Sequence, residues 1–207
     1  MCGRFAVTLP QDAMAQLFNA RPANDLPVVP NSNVCPTDDI HVIRRGGEDD
    51  APRSLEAMRW GFLPRWYKAL KDGPLLINAR AETMAEKPAF RDAARHRRCL
   101  IPASGFYEWT KDEGGAKQPW YITRTDEAPI AFAGLWQDWE RNGVTCRTAA
   151  IVTCAANAEM ADLHHRMPVI VEPEEWALWL GEDGKAELPN LRAQPAPLSF
   201  KPVTGPL

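Results

Sequence analysis

Short runs of alternating hydrophobic and polar residues recur along the chain, and glycine, proline or charged turns separate them. A period of about two residues is typical of a strand with one buried face, whereas a helix repeats every ~3.6 residues. The alternation therefore predicts a chain rich in short β-strands. The predicted strands and extended segments are residues 40–45, 55–62, 75–77, 99–103, 106–110, 120–124, 130–135, 148–154 and 169–171.

Helical spacing is confined to brief segments between these runs. Residues 10–19 predict a short helix, and residues 81–97 predict a longer one that Pro88 interrupts or restarts. Residues 157–163 predict a short helix that Asn157 caps. The remaining segments are predicted to be a short helix or turn at the start of 63–77, a helical turn or two at 173–180, a loop at 21–38 and an irregular, proline-rich tail at 189–207.

These elements predict an α+β fold in a single domain over residues 1–207. We expect a strand-rich curved sheet or partial barrel with short helices at its periphery. A chain of 207 residues buries enough surface to form a core without disulfides. Its 19 prolines argue against a bundle of long helices, because each internal proline removes a helical hydrogen bond.

Charge and cysteine content exclude several classes of protein. The 24 basic and 27 acidic residues give a net charge of −3, so any nucleic-acid contact needs a local basic patch. The five cysteines include no C-x-x-C pair, which argues against a disulfide framework and structural zinc, and no metal or cofactor is predicted. Because no apolar run approaches the roughly 18 residues of a membrane span, and no secretory signal is seen, the default expectation is a cytoplasmic monomer.

The cysteine after the initiator methionine has a chemistry that no internal cysteine shares. Once Met1 is removed, Cys2 carries a free α-amine beside its thiol. The pKa of an α-amine is about 7.7–8.0, against about 10.4 for lysine, so roughly a tenth of it is neutral at pH 7. A neutral amine attacks an aldehyde to give a Schiff base, and the thiolate can then close a five-membered thiazolidine ring. A ring-opened abasic site in DNA supplies such an aldehyde.

Further motifs distinguish Cys2 from a chance occurrence. In chain order they are MCGRF at 1–5, NVCPT at 33–37, MRWGFLP at 58–64, NARAET at 78–83, RCLIPA at 98–103, GFYEW at 105–109, FAGLW at 132–136 and HHRMP at 164–168. This series, which spans residues 1 to about 171, resembles the SOS-response-associated peptidase family. Cys35 departs from the small alanine that is usual at its place, and the chain after about residue 171 matches no motif.

The resemblance implies a catalytic set of four residues. Cys2 is expected to be the nucleophile, with Asn78 beside it to hold the reacting sugar or the amine. Glu108 is expected to help open the deoxyribose ring and to shuttle protons. His164 is expected to be a second proton-transfer group that acts on the imine and in reversal. Structural alternatives remain: Asn78 as a helix cap, Glu108 as a solvated strand residue and His164 as a structural histidine.

The resemblance also implies the contacts with DNA. Arg4, Arg80 and Arg166 are expected to bind phosphates, because the guanidinium fork matches phosphate oxygens. Trp66 and Trp109 are expected to stack on bases or to wedge the strand at the lesion. The implied partner is single-stranded DNA that contains abasic sites, and neither a metal nor a cofactor is needed.

These residues together predict an abasic-site sensor of the DNA damage and SOS response, which would associate with the nucleoid when bound to DNA. Its covalent cross-link would protect the lesion, with peptidase removal of Met1 in cis and lyase-type strand cleavage as further activities. Two other interpretations stay open. MCG also begins N-terminal-nucleophile amidohydrolases, in which the thiolate attacks an amide. A non-covalent module for single-stranded or modified DNA would keep the arginines and tryptophans but would not need a terminal Cys2.

Overall fold

The alternating segments form short strands in the computed structural model, which describes residues 2–47, 51–111, 114–182 and 197–205. The strands belong to two sheets, and the helices are brief. In chain order the elements are β1 Phe5–Val7, α1 Gln11–Leu17, β2 Ala20–Pro22, β3 Asn31–Val34, β4 Asp39–Arg44, β5 Arg53–Trp60, β6 Asn78–Arg80, α2 Arg91–His96, β7 Arg98–Ala103, β8 Gly105–Lys111, β9 Lys117–Arg124, β10 Ile130–Arg141, β11 Val144–Ala155, β12 Arg166–Pro168, a 3-10 turn Pro173–Glu175, α3 Trp176–Leu180 and β13 Leu198–Pro202.

Five strands of the larger sheet close into a barrel. Their order is β11-β10-β7-β4-β5, and β5 returns to β11 through a short parallel pairing that sets Trp60 opposite Ala149. The second half of β11 then pairs with β6 in parallel and with β12 in antiparallel orientation. Asn142 and Gly143, both at positive φ, join β10 to β11, as a tight type I′ hairpin turn requires.

The smaller sheet, in the order β13-β9-β8-β1-β3, packs on the barrel through aromatic side chains. The ring of Phe5 meets Trp60 at 5.1 Å and Phe132 at 6.0 Å between centroids, both edge to face. Phe106 meets Phe132 at 5.9 Å in the same manner. All four rings are buried. Because such pairs add about 0.5–1.5 kcal/mol beyond area burial, they hold β1 and β8 against the barrel.

The predicted fold class is confirmed, since the protein is a strand-rich α+β domain with a barrel and short helices. Predicted strands 40–45, 55–62, 99–103 and 106–110 correspond to β4, β5, β7 and β8. Asn157 accepts a hydrogen bond from the N–H of Met160 at 3.0 Å, although the residues after it form turns and not a helix. No helix in the described part of the chain has the length and apolar character to cross a membrane.

Other predictions are wrong in part. The predicted loop 21–38 contains β3, and the helix predicted over 81–97 is reduced to α2 with turns before it. The tail 189–207 is not irregular throughout, because β13 pairs with β9 from Leu198 to Pro202. Residues 189–196 and 206–207 of that tail lie outside the described residues. β3 and β13 are edge strands that exist because a distant strand pairs with them, so local alternation does not reveal them. The three-residue strands β1, β2, β6 and β12 were not predicted either, because they are too short to show an alternation.

Phe132 contacts rings of both β1 and β8, so removing it tests the junction between the sheets. We expect Phe132→Ala to lower the free energy of unfolding by about 3–5 kcal/mol, because the lost phenyl group leaves a buried cavity. Urea unfolding measures the change. Trp66→Ala is the control, since its side chain is 53% exposed and such losses usually stay within about 0.5 kcal/mol. A cost below about 1 kcal/mol for Phe132→Ala would mean that other contacts join the sheets.

Candidate active site at the junction of the two sheets

The first residues of the chain lie in the junction between the barrel and the smaller sheet. Phe5 of β1 pairs with Val34 of β3 on one side and with Phe106 of β8 on the other. The N–H of Tyr107 donates to the carbonyl oxygen of Arg4 at 2.9 Å, so contact with β8 continues toward the N-terminus. Cys2, at the end of this segment, is completely buried.

Glu108 faces this junction from β8. Alternation along the strand puts it on the same face as Phe106, and its side chain is 3% exposed. Burial, and then the negative charge of Glu108, raise the pKa of the Cys2 thiol. The carboxylate therefore lies close enough to Cys2 to act on it electrostatically, and Glu108 does not point into solvent. The thiol stays protonated near neutral pH.

Asn78 connects the barrel to the same residue. It begins β6, and its Nδ2 donates to the carbonyl oxygen of Cys2 at 3.2 Å. Its Oδ1 is buried and has no partner within the part of the chain that the structure describes. A buried acceptor without a donor costs about 1–3 kcal/mol, so a bound hydroxyl or amine would gain a hydrogen bond here. The helix-cap alternative is wrong, because turns follow β6 and α2 begins only at Arg91.

His164 lies in the turn before β12. The N–H of Arg166 donates to its Nδ1 at 2.9 Å, and the ring stacks on His165 with centroids 4.4 Å apart. β12 pairs with one edge of β11 and β6 with the other, so that Thr153 has Pro168 on one side and Arg80 on the other. The turn that carries His164 and the strand that carries Asn78 therefore flank the same segment of β11.

The three arginines predicted to contact DNA have different surroundings. Arg80 is exposed, and its guanidinium group has no hydrogen bond or ion pair with the residues the structure describes. Arg4 is half-buried, donates to Asn33 Oδ1 at 2.7 Å and lies over the ring of Trp109 at 5.9 Å. Arg166 is 12% exposed and pairs with Glu82. Only Arg80 presents a guanidinium group without a protein partner.

The two predicted tryptophans lie on separate elements. Trp109 follows Glu108 on β8, so its half-buried ring is on the opposite face of that sheet, beside Arg4. Trp66 is 53% exposed in the loop after β5 and meets only Tyr67 edge to face, at 6.4 Å, among the aromatic contacts of the described residues. An exposed indole ring has the flat apolar face on which a base can stack.

The structure therefore brings Cys2, Asn78 and Glu108 together and sets Arg4 against Trp109. Their roles in catalysis and DNA binding stay predictions. Sequence reasoning missed Asn33 and Glu82, which hold two of the predicted arginines. Both lie inside motifs already noted, NVCPT and NARAET, and polar side chains within motifs that also carry arginines were the available signal.

Comparisons with known proteins point to one family. The family model described as SOS response associated peptidase (SRAP) matches residues 1–205. The abasic site processing protein YoaM of Bacillus subtilis is 39% identical over 184 residues, covering 87% of this chain and 79% of that protein. The abasic site processing protein YedK of Escherichia coli is 33% identical over 187 residues, covering 88% and 81%. A solved structure from Bacteroides thetaiotaomicron, 24% identical, has a TM-score of 0.83 over 98% of this chain and 92% of that one, which supports the fold.

Glu108 should control the reactivity of Cys2 through its charge. We expect Glu108→Gln to speed the alkylation of Cys2 by iodoacetamide in the chain that retains Met1. Losing the negative charge lowers the pKa of the thiol and so increases the thiolate fraction. Timed peptide mass spectrometry measures the rate at mildly alkaline pH.

Cys99 is the internal control for this experiment, because burial alone raises the pKa of its thiol. Faster alkylation of both cysteines would indicate a loosened fold. An unchanged rate at Cys2 would show that Glu108 does not act on the thiol.

Proposed function

Because the chain belongs to the SOS response associated peptidase family, we propose that it processes abasic sites in DNA by bonding to them covalently through Cys2. The family match over residues 1–205 and the names of the abasic site processing proteins that the chain resembles support the substrate. The observation that carries the chemistry is the convergence of Cys2, Asn78 and Glu108 at the sheet junction. An aldehyde held there would meet an amine, a thiol and a carboxyl group.

The reaction begins when Met1 is removed and the α-amine of Cys2 becomes free. An aminopeptidase, or the chain acting as a peptidase in cis, supplies this step. The hydrogen bond from Asn78 Nδ2 to the Cys2 carbonyl oxygen does not involve the backbone nitrogen of Cys2, at which the cleavage occurs. It therefore survives the removal of Met1 and keeps Cys2 in place. The unpartnered Oδ1 of Asn78 is then available to the new amine or to the sugar.

The α-amine of Cys2 then condenses with the aldehyde of the abasic site, and side chains of the site donate and accept the protons. Glu108 assists opening of the deoxyribose ring, and its carboxylate takes a proton from the ammonium form of the Cys2 α-amine. The neutral amine then adds to the C1′ aldehyde to give a carbinolamine. The carboxylic acid of Glu108 protonates the hydroxyl group, which leaves as water, and the nitrogen is left as an iminium ion. His164 returns a proton to the imine nitrogen whenever the iminium ion has lost one. The carboxylate then takes the thiol proton, and the sulfur adds to the iminium carbon to close the thiazolidine.

The raised pKa of the thiol fits this order of events. A protonated thiol does not compete with the amine for the aldehyde, so the imine forms first. Ring closure then removes the iminium ion, which would otherwise promote β-elimination and cut the strand. Lyase activity is therefore the expected side reaction whenever closure is slow.

The DNA path uses the cationic and aromatic residues around the junction. We assign phosphate contacts to Arg4 and Arg80, and a third to Arg166, which reaches a phosphate only by exchanging a bond to Glu82. Trp66 and Trp109 supply surfaces on which bases can stack. One stacked base contributes about 1–3 kcal/mol to the binding free energy. A single strand suits this arrangement, because its bases are free to leave the stack.

Mixing the mature protein with an oligonucleotide that carries one abasic site tests the proposal. We expect a shifted band that survives heat and detergent on a denaturing gel, absent with Cys2→Ala and retained with the control Cys35→Ala. Inserting one glycine before Cys2 should abolish the band but preserve DNA binding, because the amine and thiol then belong to different residues. A band that survives this insertion would exclude the thiazolidine. DNA binding without any band would favour the non-covalent module.

Arg80 should contribute one phosphate contact. In a Cys2→Ala background, we expect Arg80→Ala to reduce the slope of log affinity against log salt by about 0.7, the value for one counterion released from a single strand. Fluorescence anisotropy of a labelled strand at several salt concentrations measures it. Arg21→Ala is the control, since Arg21 is an exposed arginine on β2. Equal slopes for Arg80→Ala and the parent protein would remove Arg80 from the path.

A further inference from the structure

Glu82 lies two residues after Arg80 in the NARAET motif and binds the guanidinium group of Arg166 with both carboxylate oxygens. Oε1 accepts from Nη1 at 2.6 Å and Oε2 from Nη2 at 2.9 Å. Oε1 also accepts from the N–H of Ala155 at 3.2 Å. The hydrogen bonds from Arg166 hold the pKa of Glu82 at about 2. The carboxylate is thus ionised at neutral pH, and it joins the turn after β6 to both β11 and β12.

Arg166 is fixed at its other end by β11. Its Nη2 donates to the carbonyl oxygen of Thr153 at 2.7 Å and also lies 3.3 Å from the Thr153 hydroxyl. A guanidinium group held by a bidentate carboxylate and a carbonyl oxygen has little rotational freedom. The side chain therefore restrains the backbone of Arg166 as well.

That backbone is the partner of the His164 ring. The N–H of Arg166 lies 2.9 Å from Nδ1, and the carbonyl oxygen of Arg166 lies 3.0 Å from the same nitrogen. A neutral ring accepts from the N–H and keeps its own proton on Nε2. A protonated ring donates from Nδ1 to the carbonyl oxygen. The backbone of Arg166 thus offers a donor to the neutral His164 ring and an acceptor to the protonated ring, and the ring does not need to move.

We propose that Glu82 is a positioning residue, which holds Arg166 so that its backbone stays within reach of His164 Nδ1 and fixes the orientation of the ring for proton exchange with the substrate. The inference rests on the proposed function, in which His164 protonates the imine nitrogen. In that step the charged ring gives its Nε2 proton to the imine nitrogen, which becomes an iminium ion. The ring is left neutral with its remaining proton on Nδ1, bonded to the carbonyl oxygen of Arg166, and exchange with solvent then restores the resting Nε2–H tautomer. Glu82 acts only through Arg166.

Nitrogen NMR of histidine-labelled full-length protein tests the positioning without DNA. Above the titration of the ring, we expect His164 to show a single Nε2–H tautomer in the parent protein and a mixture of both tautomers in Glu82→Gln. Glu86→Gln is the matched control, because Glu86 is exposed in the same turns and has no ion pair with the described residues. The signals of His41 on β4 and His96 on α2 should be the same in all three proteins.

Cross-linking kinetics supply the second measurement. Glu82→Gln should slow cross-link formation by about tenfold, a part of the ~10²–10⁴-fold that a general acid–base group contributes. DNA affinity should not fall, because the substitution removes a negative charge and releases Arg166, which is assigned a phosphate contact. Glu82→Asp keeps the charge and should recover part of both the tautomer signal and the rate.

The outcomes separate this inference from the proposed function. An unchanged His164 tautomer in both Glu82 variants would overturn the positioning role, whatever the cross-linking rate. An equal loss of DNA affinity and cross-linking would also overturn it, since the variants would then act on binding. If Glu82→Gln does not fold, Glu82→Asp carries the comparison. If the parent protein forms no cross-link, the proposed function fails and the tautomer measurement still decides the positioning.

Discussion

The burial of Phe5 between the barrel and the smaller sheet determines the geometry of the whole site. β1 is only three residues long, so its ladder supplies few hydrogen bonds, and Phe5 is its largest apolar anchor. Contacts with Trp60 and Phe132 hold that ring from the barrel side. The residues before Phe5 therefore have a fixed path, and Cys2 is held where Asn78 can bond to it.

β11 is the second determinant, because both of its edges are occupied. β10 and then β12 pair along one edge, and β5 and then β6 pair along the other. The motifs NARAET and HHRMP are far apart in sequence, yet Arg80 of the first and Pro168 of the second lie on either side of Thr153. The polar groups of the site are thus attached to the ends of paired strands, which restricts their motion more than a loop would.

The sequence predicted those strands whose own residues alternate between hydrophobic and polar. Alternation identified β4, β5 and β7, but Asn31–Val34 is polar in its first three positions and becomes a strand only because β1 pairs with it. Motif membership identified Cys2 and Glu108, whereas their burial depends on how β1 and β8 align. The local sequence does not reveal the partner of Glu82, because the arginine that it binds is 84 residues away. Strand pairing, burial and ion pairs between segments that are distant in the sequence could therefore not be predicted.

The late completion of the smaller sheet has a consequence for the timing of maturation. β1 pairs with β8, and Phe106 is made roughly a hundred residues after Phe5. While the chain is growing on the ribosome, its first residues have no β8 to dock on and remain open to processing enzymes. Once β8 emerges, Cys2 becomes buried and an external aminopeptidase loses access. Under the proposed chemistry, the relative rates of Met1 removal and of folding of the N-terminal strand would then set the reactive fraction of the protein.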